Sequence, residues 1–174
     1  MTMSAGLRKI VLVVHVTTSV GLLGAVACFL ALALAGLRAG DPHVAAFAYP
    51  AMNMITEFVI LPLALASLII GIVPSLTTPW GLLRHYWIVV KLLLTAVTVV
   101  VLLFQLDSIA QLAALATERR LSADDFGLQM RVVIHAASGL LVLLASTILS
   151  IYKPRGVTRY GTRQQRAQDP FAPI

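Results

Sequence analysis

The chain has 174 residues, of which 59% are hydrophobic and only 11% are charged. An ordinary soluble domain carries about 25% charged residues, so this composition excludes that class and predicts a single membrane domain. The net charge of +6 comes from 13 basic and 7 acidic residues. The basic residues lie at the ends of apolar stretches rather than together on one face, which argues against nucleic-acid binding.

Four long apolar stretches follow one another along the chain. They cover residues 10–37, 53–73, 86–106 and 132–152. At about 1.5 Å per residue, each is long enough to cross a hydrocarbon layer of about 30 Å. We therefore predict an all-α fold, an up-down-up-down bundle of four transmembrane helices over residues 1–153, with the fourth helix beginning near residue 129. A basic disordered tail follows over residues 154–174.

Small residues recur on one face of the first stretch. They are Thr17, Gly21, Gly24 and Cys28, and the fourth stretch has a similar face with Ser138 and Gly139. Small residues let transmembrane helices approach closely, so we expect both faces to pack against neighbouring helices. Cys28 is the only cysteine, which excludes a disulfide within the chain and a CxxC motif.

Two further features concern the second and third stretches. Pro62, in the middle of the second, removes one backbone donor and is expected to kink that helix. On the third, polar residues recur at intervals of four and three and predict a stripe that faces the bundle interior. The stripe consists of Lys91, Thr95, Thr98, Leu102 and Gln105.

The segment between the third and fourth stretches contains a helix start signal. Ser122 and Asp125 have the spacing of a capping box, so the fourth helix is expected to begin before its apolar part. If the third helix continues past Asp107 toward Thr117, the two helices form a hairpin that extends about 15–20 Å beyond the outer surface of the membrane.

A buried polar network is expected in the outer half of the bundle. Its members are Asn53, Glu57, Gln105, Arg131 and His135. Glu57 and His135 lie at matching depths, which predicts a contact between them. A charge inside a span costs at least about 2.5–3.5 kcal/mol unless it is paired or hydrated. The network therefore either provides hydrogen-bond partners for polar groups within the bundle or performs a function, and the sequence leaves both interpretations open.

The distribution of basic residues predicts the orientation. Lysines and arginines are concentrated at the two termini and in the second connection, so the positive-inside rule puts both termini in the cytoplasm. The basic tail is expected to bind anionic lipid headgroups, at about 1 kcal/mol per basic residue near the surface.

Four histidines in a membrane bundle suggest haem b. Two axial imidazoles must lie at nearly the same level, which leaves His15 with His85, or His43 with His135. His15 and His85, on the cytoplasmic side, are the favoured pair.

Three segments resemble known membrane proteins. LTTPWGLLRHYWIVVKLLLT, residues 76–95, resembles the YGxLLxxK segment of the copper resistance protein D-like membrane superfamily. The first span, in which Gly21 and Gly24 follow His15, resembles the same superfamily. Together with the ending LSIYKPRGVTRYG, residues 149–161, the whole chain is similar to a group of small four-span bacterial membrane proteins whose function is unassigned. This resemblance implies a multi-pass protein of the bacterial cytoplasmic (inner) membrane.

The same resemblance implies copper handling across that membrane. Met52 and Met54, close to His43, are the nearest candidates for the soft ligands that Cu(I) prefers.

Catalytic signatures are absent from the sequence, which contains no Gly-rich phosphate loop, no HExxH and no GxSxG. We therefore expect a non-enzymatic accessory or assembly component, with a second copy of itself or another membrane protein as its partner. Two alternatives stay open: a haem b electron-transfer protein, and a protein for metal (copper) or proton transport.

Overall fold

The computed structural model describes residues 4–39, 41–77, 86–118 and 121–152, all of which belong to helices or to their short connections. The helices are α1 (Ala5–Leu37), α2 (Pro42–Ile55), a π-helical segment (Thr56–Ile60), α3 (Leu61–Thr77), α4 (Tyr86–Thr117), a 3₁₀ turn (Ala123–Asp125) and α5 (Phe126–Tyr152). No strand occurs within the described ranges. The predicted tail lies outside the described residues.

Four helices are long and apolar enough to cross a membrane. They cover Gly6–Leu37, Pro42–Ile72, Tyr86–Thr117 and Ala123–Tyr152. The second of these runs continuously through α2, the π-helical segment and α3. The predicted all-α class with four long apolar helices is therefore confirmed, and the length and composition of the helices indicate a multi-pass membrane protein.

The second span begins at Pro42, well before the predicted residue 53. Asp41 is the N-cap, and its Oδ1 accepts a hydrogen bond of 2.9 Å from the backbone N–H of His43. Proline at the first helical position costs nothing because that N–H has no partner inside the helix. An apolarity criterion misses this start because it does not register capping.

The π-helical segment lies immediately before Pro62, the residue expected to kink the second span. Within it the backbone N–H of Leu61 bonds to the carbonyl of Thr56, five residues back. Pro62 has no N–H to offer to the carbonyl of Phe58, and the wider π turn is a common way for a helix to absorb such a local mismatch. The buried hydroxyl of Thr56 donates to the Met52 carbonyl at 2.8 Å.

The two helices of the predicted hairpin both extend beyond their apolar parts, as expected. α4 continues past Asp107 to Thr117. The capping box forms before α5, with the backbone N–H of Ser122 donating to Asp125 Oδ2 at 2.9 Å. α5 therefore begins at Phe126, a few residues before its apolar part.

The core lies between the four spans. α1 packs against α2, α3 and α5, and α4 packs against the same three helices. The largest side chains that are almost fully enclosed are Tyr49, Met52, Leu112 and Thr56. The tightest approach involving a glycine is at Gly36, where a Cβ would lie only 2.8 Å from Cζ of Tyr49.

The small-residue faces predicted to pack are mostly turned outward, and the one close approach among their glycines is at Gly21, where a Cβ would lie 3.4 Å from Cδ1 of Leu63. Thr17, Gly21, Gly24, Cys28 and Ser138 are exposed, and Gly139 is half-buried. A Cβ at Gly24 or Gly139 would meet nothing within 4 Å. The reason is that α1 turns its larger residues, such as Leu22 and Phe29, toward the core, which leaves the small-residue face on the outside.

Candidate functional site: a polar cluster and a cavity

A group of polar side chains from all four spans lies inside the bundle near one end. We name it the polar cluster, and it consists of His15, Ser19, Ser67, Lys91, Ser146 and Ser150. Two contacts connect separate spans: the hydroxyls of Ser19 and Ser67 are 3.0 Å apart, and Lys91 Nζ donates to Ser150 Oγ. Ser150 in turn donates to the carbonyl of Ser146 at 2.9 Å.

His15 is held in the cluster by a close helix contact. Its Cε1 would lie 3.2 Å from a Cβ at Gly71, so the ring fits only because that position has no side chain. Its Nδ1 is buried and has no hydrogen-bond partner. Lys91 is near enough for its charge to act on the imidazole. The cluster therefore contains an imidazole nitrogen that no residue of the described ranges satisfies.

Ser146 is the second unsatisfied member. The residue is 9% exposed, and its Oγ has no hydrogen-bond partner. A buried polar group without a partner costs about 1–3 kcal/mol, and native structures contain few of them. Two such atoms in one cluster indicate a site that is completed by something other than the chain.

The charge of the cluster is also unbalanced. Lys91 is half-buried, and within the described ranges no carboxylate acts on it. The described acidic residues are Asp41, Glu57, Asp107, Glu118, Asp124 and Asp125. A half-buried ammonium that has hydroxyl and imidazole neighbours, and no described carboxylate acting on it, favours an anionic ligand.

A cavity of about 230 Å³ lies between α1, α3, α4 and α5. Most of its wall is apolar, and its polar residues are Thr98, Gln105, His135 and Ser138. The Nδ1 of His135 is 2.7 Å from the Arg131 carbonyl, which can only accept, so Nδ1 is the donor in this contact. Thr98 and Ser138 donate to carbonyls of their own helices.

The stripe predicted on the third span is half-buried along its length, and it contributes to both features. Lys91 belongs to the polar cluster, whereas Thr98, Leu102 and Gln105 line the cavity. Thr95 donates to the Lys91 carbonyl at 2.9 Å and thus lies between them. One face of α4 therefore connects the polar cluster to the cavity along the interior of the bundle.

The five residues of the predicted polar network separate into different environments. Gln105 and His135 both line the cavity. Glu57 is exposed and accepts a hydrogen bond of 2.9 Å from Nδ2 of Asn53, one turn away on the same helix. Arg131 is also exposed, and its carbonyl rather than its guanidinium meets His135. The network is therefore corrected to one local pair on the outside and two residues at the cavity, because the second span turns Glu57 away from the core.

The structure describes only some of the predicted haem and copper ligands. His15 is inside the bundle, but His85 lies outside the described residues, so the pair stays a prediction. Met52 is buried whereas Met54 is exposed, and these side chains therefore do not converge. Within the described ranges, no group of three or more histidine, cysteine, aspartate or glutamate residues is close enough to hold a metal ion.

The serines of the polar cluster were not recognised from the sequence. Ser19, Ser67, Ser146 and Ser150 each look like ordinary small residues within an apolar run. The available signal was the spacing of Ser146 and Ser150, which puts two hydroxyls on one face of α5 close to the end of the helix. Lys91 lies at a similar depth on the third span, so this face of α5 was a candidate contact for the lysine.

Taken together, these features define a multi-pass helical membrane protein with a polar cluster and a cavity inside the bundle. No protein-family model, no curated protein and no solved structure matches the chain. The resemblance to the copper resistance protein D-like superfamily therefore stays a prediction.

Proposed function

We propose that this protein is a non-enzymatic membrane component with an accessory or assembly role, and that it acts by associating with a second copy of itself. The observation that carries the proposal is the position of Glu57. This carboxyl group is exposed on the second span, at the middle residue of Pro42–Ile72. Its exposed neighbours Met54 and Phe58 are apolar, as expected for a surface that faces lipid or another helix.

A carboxylate facing hydrocarbon costs about 2.5–3.5 kcal/mol on insertion scales, and a partner helix that offers donors reduces this cost. The pair formed by Asn53 and Glu57 is suited to such a contact. The Asn53 amide uses one N–H for Glu57 and has a second, while the carboxylate has free lone pairs. Across a two-fold axis, each Asn53 faces the Glu57 of the other copy, which makes the surface self-complementary.

The outward face of α1 gives independent support. Thr17, Gly21, Gly24 and Cys28 are exposed, and a Cβ at Gly24 would meet nothing within 4 Å. Association of membrane helices depends on close packing of small residues and on interhelical hydrogen bonds. The chain therefore offers one surface of each kind to a partner.

The test is self-association in liposomes, measured by energy transfer between donor-labelled and acceptor-labelled chains. We expect the wild type to associate and Glu57→Leu to associate at least several-fold more weakly. Phe58→Leu, a neighbouring exposed position, is the matched control and should behave like the wild type. A wild type that stays monomeric, or a Glu57→Leu variant that associates as well as the wild type, would contradict the proposal.

The single cysteine offers a second readout. Cys28 is exposed on the outward face of α1 and is the only thiol in the chain. Oxidative cross-linking in the membrane gives a covalent dimer if the α1 faces of two copies meet, and Cys28→Ala removes the product. Absence of cross-linking together with energy transfer would assign the contact to the second span alone.

We also propose an up-down-up-down arrangement in the bacterial inner membrane, with both termini in the cytoplasm and the basic tail against anionic lipids. Contacts between helix ends support the arrangement: Gly36 meets Tyr49, His15 meets Gly71, and Lys91 meets Ser150. The distribution of basic residues supports the orientation. A thiol introduced at Thr2 in Cys28→Ala should react with membrane-impermeant reagents only after the cells are opened, and labelling in intact cells would refute the orientation.

A transport role is the second candidate, and the continuous interior face of α4 favours it. Polar groups follow one another from Lys91 through Thr98 to Gln105, and His135 faces the same cavity. Liposomes that contain the protein should then acidify faster than empty ones under a proton gradient, and Gln105→Leu should slow the flux. Equal rates with and without the protein would remove proton transport as a candidate.

A further inference from the structure

We propose that the polar cluster binds one phosphate-type anionic group, with Lys91 as its principal contact. The inference is independent of self-association, because it concerns the inside of the bundle rather than its outer face. It starts from three observations: a half-buried ammonium without a described carboxylate acting on it, two buried polar atoms without partners, and contributions from all four spans.

The cluster offers enough donors for such a group. Lys91 has three N–H bonds and uses one for Ser150. Ser146 Oγ has no partner and lies one turn from Ser150 on the same helix. His15 Nδ1 also lacks a partner, and in the tautomer that carries its proton there the ring donates. An ammonium, a hydroxyl and an imidazole N–H together suit a group with several acceptor oxygens.

The position of the cluster fits a ligand that arrives from the membrane interface. Lys91 lies in the second turn of α4, which begins at Tyr86. Ser150 is in the last turn of α5, which ends at Tyr152 in the described part. A lipid headgroup therefore reaches the ammonium within about two helical turns, or about 10 Å, of these helix ends. The exposed apolar sides of the spans leave room for the acyl chains.

The phosphate chemistry has two sources, an anionic phospholipid headgroup and free inorganic phosphate. We test both with the purified full-length chain in detergent, using phosphatidylglycerol, phosphatidylcholine and inorganic phosphate as probes. Retained lipid is counted by native mass spectrometry, and affinity is obtained by titration. We expect saturable binding of one phosphatidylglycerol, with at least tenfold preference over phosphatidylcholine. If millimolar inorganic phosphate competes fully, the free anion is the source.

Substitutions separate the site from general charge attraction. Lys91→Met should weaken phosphatidylglycerol binding at least tenfold, and Lys91→Arg should keep most of it, since the cation is retained. Lys9→Met removes an exposed lysine and is the control for general charge attraction. Equal losses in Lys91→Met and Lys9→Met, or no preference for either anionic probe in the wild type, would overturn the proposal.

Ser146→Ala keeps the proposal testable if Lys91→Met does not fold. Ser146 Oγ has no partner in the chain, so its removal should not lower the melting temperature. If the hydroxyl contacts the bound anion, the same variant should bind phosphatidylglycerol several-fold more weakly. Unchanged phosphatidylglycerol binding in Ser146→Ala would refute the site.

Discussion

Substitution of Gly36 by alanine is the sharpest test of how the first two spans pack. A Cβ at this position would lie 2.8 Å from Cζ, 3.0 Å from Cε2 and 3.1 Å from Oη of Tyr49. Ordinary carbon contacts are about 3.5–4.0 Å, so the methyl group overlaps the ring. Tyr49 is only 2% exposed, so movement of its ring would disturb the packing around it.

The expected magnitude follows from two opposing terms. Overpacking a filled interior typically costs about 1–3 kcal/mol. Replacing a helical glycine by alanine returns about 0.5–1 kcal/mol through backbone entropy. We therefore expect Gly36→Ala to lower the free energy of unfolding by up to about 2.5 kcal/mol. The measurement is unfolding of the purified protein by titration with a denaturing detergent, followed by circular dichroism.

Gly139→Ala is the matched control. It lies in the interior of α5, outside the α1 face proposed for self-association, and a Cβ there would meet nothing within 4 Å. Only the entropic term applies, so this variant should be more stable than the wild type by about 0.5–1 kcal/mol. The two variants should therefore differ in sign. If both are stabilised, or if both lose the same amount, the close contact between Gly36 and Tyr49 is not a determinant of stability and the packing argument fails.

Three further predictions concern hydroxyls and a helix cap, and the same unfolding assay checks each. Tyr49→Phe should not lower the free energy of unfolding, because the buried Oη has no hydrogen-bond partner in the described ranges and an unsatisfied buried group costs about 1–3 kcal/mol. A clear loss of stability would show that this hydroxyl has a hydrogen-bond partner. Ser19→Ala and Ser67→Ala, combined in a double-mutant cycle, should show a coupling of about 0.6–1.7 kcal/mol across their 3.0 Å contact, and strict additivity would count against that bond. Asp41→Ala should cost about 0.5–2 kcal/mol through loss of the N-cap bond to His43, whereas Asp41→Asn should retain it.

The helices could be predicted because apolarity over twenty residues is a property of one segment at a time. The third and fourth helices extended beyond their apolar parts, as the capping box at Ser122 and the sequence before Thr117 indicated. The second helix did not follow the apolar boundary, because its start at Pro42 depends on capping by Asp41. The π-helical segment before Pro62 was also missed, since a proline predicts a disturbed ladder but not how the backbone absorbs it.

The site was harder to predict because it depends on which faces of the helices meet. The stripe from Lys91 to Gln105 could be read from its spacing, and three of its members reached the cavity. The partners of Lys91 could not be predicted from the sequence, because Ser150 lies on another helix and no short-range pattern links the two residues. Glu57 and His135 were predicted to lie at the same depth in the membrane, but the depth of a residue does not show whether its side of the helix faces the core. The second span turns Glu57 outward, while His135 faces the cavity.

Two ionisable side chains inside the spans thus pose different physical problems. Glu57 is on the outer surface, where Asn53 supplies one donor and any further donor has to come from a neighbouring molecule in the plane of the membrane. Lys91 is half-buried and donates to Ser150, and the proposed anionic group would balance its charge. Glu57→Leu should therefore weaken self-association and leave phosphatidylglycerol binding unchanged, and Lys91→Met should do the reverse. If either substitution abolished both properties without unfolding the chain, the surface and the cluster could not be independent. The partner copy would then have to help form the anion site.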